Sequence, residues 1–60
     1  MSNKQLFEVH AQLPEGTRIT KVYRAFEGDI RVIVLHPGDV LETRYTIKFE
    51  DDYPRIHLMP

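Results

Sequence analysis

Basic and aromatic side chains are interleaved in two segments of this sequence, residues 21–26 and 44–49, and each segment offers two cations and two rings. Small β domains that bind single-stranded nucleic acids stack bases on exposed rings and contact phosphates with Lys and Arg. If these segments and the segment between them, which contains Arg31, form neighbouring strands, a positively charged face results, which is a candidate site for nucleic acid or for a protein partner. The candidate residues are Arg24, Arg31, Arg44 and Lys48.

The same two segments also fit ordinary amphipathic strands. Tyr45 and Phe49 alternate with Arg44 and Lys48, so on a strand the rings and the cations point to opposite faces. The rings would then belong to the core, together with Ile47. The formal net charge of -1 favours a protein partner over nucleic acid, because domains that coat nucleic acids are usually basic.

The sequence does not predict catalytic or metal-binding residues. The only serine, Ser2, lies near the N-terminus, and the absence of cysteine excludes disulfides and Cys-based zinc sites. His10, His36 and His57 lie far apart and lack metal-ligand spacing, and the acidic residues 50–52 are typical of a solvated turn. We therefore expect no enzymatic activity, no metal site and no cofactor.

The hydropathy pattern predicts a cytoplasmic protein without a membrane partner. No apolar run approaches the roughly 18 residues that a transmembrane helix needs. Polar residues also interrupt the first part of the chain, so we expect no signal peptide.

Turn residues divide the chain into five segments of strand length. The turns are expected at residues 14–16, 27–29, 37–39 and 51–54, where Gly, Pro and Asp cluster. The segments between them are 6–13, 18–26, 30–35, 40–49 and 55–59. They predict an all-β fold, a single domain over 1–60 forming a five-stranded antiparallel meander or a partly open barrel. The alternative is an α+β fold, in which one short helix over 18–27 packs on four strands.

Seven apolar residues on the alternating faces or in the central strand are expected to be buried. They are Phe7, Val9, Val32, Val34, Tyr45, Ile47 and Phe49. A core of this size supplies only about 3–5 kcal/mol, so small domains without disulfides or metals usually need a partner. The strand expected over 6–13 contains no proline and is the predicted docking edge.

Residues 32–45, which include His36-Pro37-Gly38-Asp39 and end in Thr43-Arg44-Tyr45, resemble the strand and binding loop of serine protease inhibitors of the potato inhibitor I type. In that family a strand ends in a glycine turn, followed by an extended loop and an aromatic residue. The resemblance implies a binding loop with its scissile bond between Thr43 and Arg44. Glu42 replaces the threonine of the family, and residues 46–49 lack the arginines that support its loop.

A second resemblance is to AbrB-like DNA-binding and antitoxin domains. It covers the turn Pro37-Gly38-Asp39, the strand after it, an acidic turn, and the closing segment Ile56-His57-Leu58-Met59-Pro60. The resemblance implies an obligate dimer with a short helix between its strands, which would suit a helix over 18–27.

These observations favour a non-catalytic protein-interaction module, either a small accessory subunit or a regulator that docks on a larger assembly, or a homo-oligomer. The alternative is a small β domain that binds nucleic acid, either single-stranded or in the manner of AbrB-like proteins. A protease-inhibitor-like binding loop is the third hypothesis.

Overall fold

A computed structural model describes residues 2–59 and shows a mostly antiparallel sheet of four strands with one short helix. The strands follow one another as a meander in the order β1-β2-β3-β4. The elements are α1 (Asn3–Ala11), β1 (Arg18–Arg24), β2 (Ile30–Leu35), β3 (Thr43–Glu50) and β4 (Tyr53–Leu58).

The prediction of a strand over 6–13 is wrong, because this segment is mostly helical. Ser2 caps α1 through a capping box: its hydroxyl accepts from the backbone N–H of Gln5, and the Gln5 side chain accepts from the backbone N–H of Ser2. Val9 and Leu13, four residues apart, are both buried. The alternation of apolar residues was therefore coincidental, and the described region has four strands rather than five.

The alternative helix over 18–27 is also wrong, because Arg18–Arg24 forms β1. The mixed faces of this segment have a structural cause: the register shifts between Ile19 and Lys21, so Thr20 is an extra residue in a β-bulge. The architecture of one helix on four strands does occur, but the helix precedes the sheet.

The remaining strands agree more closely with the sequence. β2 has the predicted bounds, β3 begins at Thr43 rather than at residue 40, and β4 begins two residues earlier than predicted. The turn between β3 and β4 consists of Asp51 and Asp52, both with positive φ (52° and 65°). Positive φ at both central positions is the conformation of a type I′ hairpin turn.

The core lies between α1 and one face of the sheet. It consists of Val9, Leu13, Val32, Val34 and Ile47, with Ile19, Ile30, Tyr45 and Ile56 packed around it. The predicted burial is confirmed for Val9, Val32, Val34 and Ile47, and Tyr45 is half-buried. It is wrong for Phe7 and Phe49, which are 74% and 44% exposed, because Phe7 lies on the outer face of α1 and Phe49 lies on an uncovered part of the sheet.

The two edges of the sheet differ. The Gln12 side chain, just after α1, donates to the carbonyl oxygen of Pro54 (2.5 Å) and accepts from the N–H of Ile56 (3.2 Å), so it satisfies outward backbone groups of β4. Within residues 2–59 no side chain covers the outer edge of β1 in this way. The predicted docking edge is therefore wrong, since residues 6–13 are not in the sheet, and the free edge is β1.

Candidate binding surfaces

The pairing register assigns the strand residues to two faces of the sheet. Residues opposite each other on neighbouring strands share a face, and successive residues alternate between faces. The face that carries Val32, Val34 and Ile47 packs against α1, and we call it the helix side. Within residues 2–59 no helix or strand covers the opposite face, which we call the open face; the loop residues Leu41 and Glu42 lie beside Ile33 and Arg44 at its margin.

The open face brings together three of the four predicted binding residues. Arg31 lies opposite Thr46, Arg44 lies opposite Ile33, and Lys48 occupies the same side of β3 as Arg44. The fourth, Arg24, lies on the helix side, because it pairs with Ile30, which in turn pairs with the buried Ile47. The Arg24 guanidinium donates to the carbonyl oxygen of Gly28 (2.9 Å).

Three more cations lie on the open face than the sequence alone indicated. Arg18 pairs with Leu35, Lys21 pairs with Ile33, and Arg55 pairs with Lys48. Alternation alone could not assign Arg18 and Lys21 to one face, because the bulge at Thr20 lies between them. The open-face cations are Arg18, Lys21, Arg31, Arg44, Lys48 and Arg55; among the strand carboxylates only Glu50 shares this face.

Most of these cations are not neutralised by neighbouring carboxylates. In the described part of the chain, Arg31 forms an ion pair with Glu27 (3.2 Å), and the other five open-face cations form none. Lys48 and Arg55 lie directly opposite each other across β3 and β4. Like charges in directly opposite positions of a sheet are destabilising. The nearest carboxylate on the strand, Glu50, is instead directed toward His57 (3.9 Å).

Two tyrosines accompany the cations. The ammonium of Lys21 lies 5.3 Å from the centre of the Tyr23 ring, and the guanidinium of Arg55 lies 5.0 Å from the centre of the Tyr53 ring. Both distances are within the range of cation–π attraction. Tyr23 and Tyr53 are half-buried, so part of each ring is accessible on the open face.

The helix side is only partly covered, because α1 packs mainly against β4. Near the β1–β2 turn the sheet is left with a groove of about 440 Å³. We call it the apolar groove; its lining residues are Arg24, Gly28, Asp29, Ile30, Ile47, Lys48 and Phe49. The aromatic ring of Phe26, in the adjoining turn, is fully exposed to solvent.

The residues that the protease-inhibitor resemblance placed in a binding loop lie in a strand. Thr43 pairs with Val34 and Arg44 pairs with Ile33, so the Thr43–Arg44 peptide bond belongs to the ladder between β2 and β3. The loop that precedes β3 does expose Val40 and Leu41 (91% and 79%). Its turn contains Gly38 at φ +81° and a hydrogen bond from the N–H of Asp39 to the carbonyl oxygen of His36.

Each histidine has a local structural partner. His10 Nε2 lies 2.7 Å from the carbonyl oxygen of Thr17, His36 Nε2 lies 3.0 Å from the Tyr45 hydroxyl, and His57 approaches Glu50. Within residues 2–59 no three His, Asp or Glu side chains form a group that could hold a metal ion. In the same region no helix is long and apolar enough to cross a membrane.

Comparison with known proteins finds no matching family model, no similar curated protein and no similar solved structure. The functional argument therefore depends on the two faces of the sheet.

Proposed function

We propose that this protein is a non-catalytic protein-interaction module, a small accessory subunit or regulator that docks on other chains through the apolar groove. The proposal rests on one observation: more large apolar side chains are exposed than are buried in the core. Five hydrophobic residues form the buried core, whereas seven large ones in the described region are more than a third exposed. The exposed ones are Phe7, Val22, Phe26, Val40, Leu41, Phe49 and Leu58.

Part of this exposed apolar surface is continuous with the core. Phe49 and Val22 lie on the helix side, opposite the buried Pro54 and Val32 respectively. A partner that covered them would extend the existing core rather than create a separate one. Exposed apolar patches next to an incomplete core are typical of protein–protein contacts, and buried aromatic anchors provide most of their affinity. Phe26 and Phe49 are the anchors that we expect.

A second copy of the chain is the first partner that we expect in the groove. Arg24, Asp29 and Lys48 all line it, so the groove carries two cations and one carboxylate beside its apolar residues. In a twofold dimer the same patch faces itself, and the Arg24 side chain of one protomer can pair with Asp29 of the other. Coverage by a second copy would also increase the small buried core.

Sedimentation velocity over micromolar to millimolar concentrations tests this proposal. We expect concentration-dependent self-association of the wild-type protein that Phe26→Ser weakens at least about tenfold, since truncating an aromatic anchor commonly costs 2 kcal/mol or more. Val40→Ser is the matched control, because Val40 is similarly exposed but lies in the β2–β3 loop. Equal effects of the two substitutions would contradict docking through the groove.

A second measurement addresses a different protein partner. Tagged wild-type, Phe26→Ser and Val40→Ser proteins are used for affinity purification from the native host, with and without nuclease treatment. The proposal predicts a nuclease-resistant protein partner that the Phe26→Ser variant loses and the Val40→Ser variant keeps. A wild-type protein that stays monomeric and retains no partner depending on Phe26 would overturn the proposal.

A further inference from the structure

The open face supports a second proposal, which does not depend on the apolar groove. We propose that this face binds single-stranded nucleic acid, with phosphates contacting its unpaired cations and bases stacking on Tyr23 and Tyr53. The formal net charge of -1 conceals how the charges are distributed. Six of the eight Lys and Arg residues lie on the open face; the other two are Lys4 and Arg24.

The pair formed by Lys48 and Arg55 is the strongest argument for an anionic ligand. The two residues lie in directly opposite positions and neither forms an ion pair within the described region; like charges in such positions are generally destabilising. An anion held between them would remove this repulsion and gain two charge-assisted contacts. Arg31 is less available to such a ligand, because its side chain is 23% exposed and already paired with Glu27.

The geometry favours an extended strand as the ligand. Tyr23 lies on β1 and Tyr53 lies on β4, so the spacing of strands and residues separates them by about 20 Å along a diagonal of the sheet. Arg31, Lys48 and Arg55 lie between them. A flat surface with rings at its ends and cations along its length matches the requirements of a single strand, whose bases are free to stack. An acidic peptide would use the cations but gain little from the rings.

The affinity of the purified full-length protein for fluorescein-labelled oligothymidylate and oligouridylate is measured by anisotropy over a range of salt concentrations. The variant Lys48→Gln/Arg55→Gln should lose about 10- to 100-fold in affinity at low salt. Its log–log salt slope should decrease in magnitude by about 1.4, since each single-strand phosphate contact contributes about 0.7. The matched control, Lys4→Glu, changes the net charge by the same two units on the exposed surface of α1, away from both proposed surfaces, and should alter neither quantity more than about twofold.

Stacking distinguishes nucleic acid from other polyanions. Tyr53→Leu should lower oligonucleotide affinity about 5- to 150-fold, the equivalent of one lost stacked base, and leave binding of poly-glutamate unchanged. Circular dichroism confirms that each variant is folded. No oligonucleotide binding at low salt, equal losses in the Lys48→Gln/Arg55→Gln variant and the Lys4→Glu control, or a Tyr53→Leu variant that binds like the wild type would each overturn the inference. Because Phe26 lies in the β1–β2 turn and not among the cations and rings of the proposed site, Phe26→Ser should bind oligonucleotides normally, so this inference and the groove can fail separately.

Discussion

The helix side and the open face are built from alternate residues of the same four strands, yet their chemistry differs sharply. On β3, Tyr45 and Ile47 pack toward α1, while Arg44 and Lys48 point to the opposite side. The helix side is only partly covered by apolar groups, and five of the six cations on the open face form no ion pair within the described region. A single averaged property, such as net charge, therefore describes neither face, and the two have to be tested separately.

The largest expected effect distinguishes the core from the open face on one strand. Ile47→Ala should lower the free energy of unfolding by about 2–5 kcal/mol, because Ile47 is 3% exposed in the core. In so small a domain that loss would largely unfold the free protein. Arg44→Ala, on the opposite side of β3, should change it by no more than about 0.5 kcal/mol. Urea denaturation followed by circular dichroism measures both; similar losses would show that the face assignment is incorrect.

The second effect concerns the junction of α1 with the sheet. Gln12→Ala should cost about 1–3 kcal/mol, because it leaves the carbonyl oxygen of Pro54 and the N–H of Ile56 without their side-chain partner. Gln12→Glu keeps an acceptor for Ile56 but places a carboxylate oxygen against the carbonyl oxygens of Glu8 and Pro54, so it should be no more stable than the alanine variant. If the alanine variant were as stable as the wild type, water would satisfy the backbone groups of Pro54 and Ile56 as well as the Gln12 side chain does, and the expectation would be wrong.

A third, smaller effect concerns a polar atom beside the core. The Thr17 side-chain hydroxyl is buried without a hydrogen-bond partner, although the residue's carbonyl oxygen interacts with His10. Thr17→Val should therefore raise the free energy of unfolding by about 1 kcal/mol, since it removes an unsatisfied polar group while keeping the branched shape. Thr17→Ala is the control that also removes the hydroxyl but loses packing. Thermal denaturation would contradict the expectation if the valine variant melted lower than the wild type.

The smallest effect concerns the open face. Lys48→Gln should stabilise the free protein by about 0.2–1 kcal/mol, because it ends the repulsion with Arg55. Added salt should stabilise the wild-type protein more than this variant, since screening weakens the same repulsion. Melting temperatures at low and high salt provide the comparison. A salt response equal in both proteins would mean that the two cations do not repel each other in solution.

The sequence predicts the sheet better than the helix. Residues 30–35 form a nearly continuous apolar run, and β2 has those bounds. The first segment satisfied both an alternating and a helical pattern, and the capping box of Ser2 and Gln5 was the signal that could have distinguished them. The mixed faces of β1 could not be interpreted, because a bulge at Thr20 leaves no mark in the hydropathy pattern.

The candidate sites were predictable to different degrees. Arg44 and Lys48 follow simple alternation, so their shared face was accessible from the sequence. The sequence places Lys48 opposite Arg55 only if the length of the β3–β4 turn is known. Recognising a two-residue turn at Asp51 and Asp52 would have given this register. Arg24 was misplaced because its face depends on the register across the β1–β2 turn. The apolar groove depends on where α1 lies, which local sequence does not determine.

The contact between Gln12 and β4 also connects the helix to the behaviour of the chain when it is partly unfolded. While α1 is docked, outward hydrogen-bonding groups of β4 are occupied; when α1 detaches, they become free at the same moment as Val9 and Leu13 uncover the core. A sheet with two bare edges and an apolar face is a template for intermolecular strand addition and aggregation. We therefore expect docking of this 9-residue helix to protect the protein from polymerising as well as to stabilise the fold.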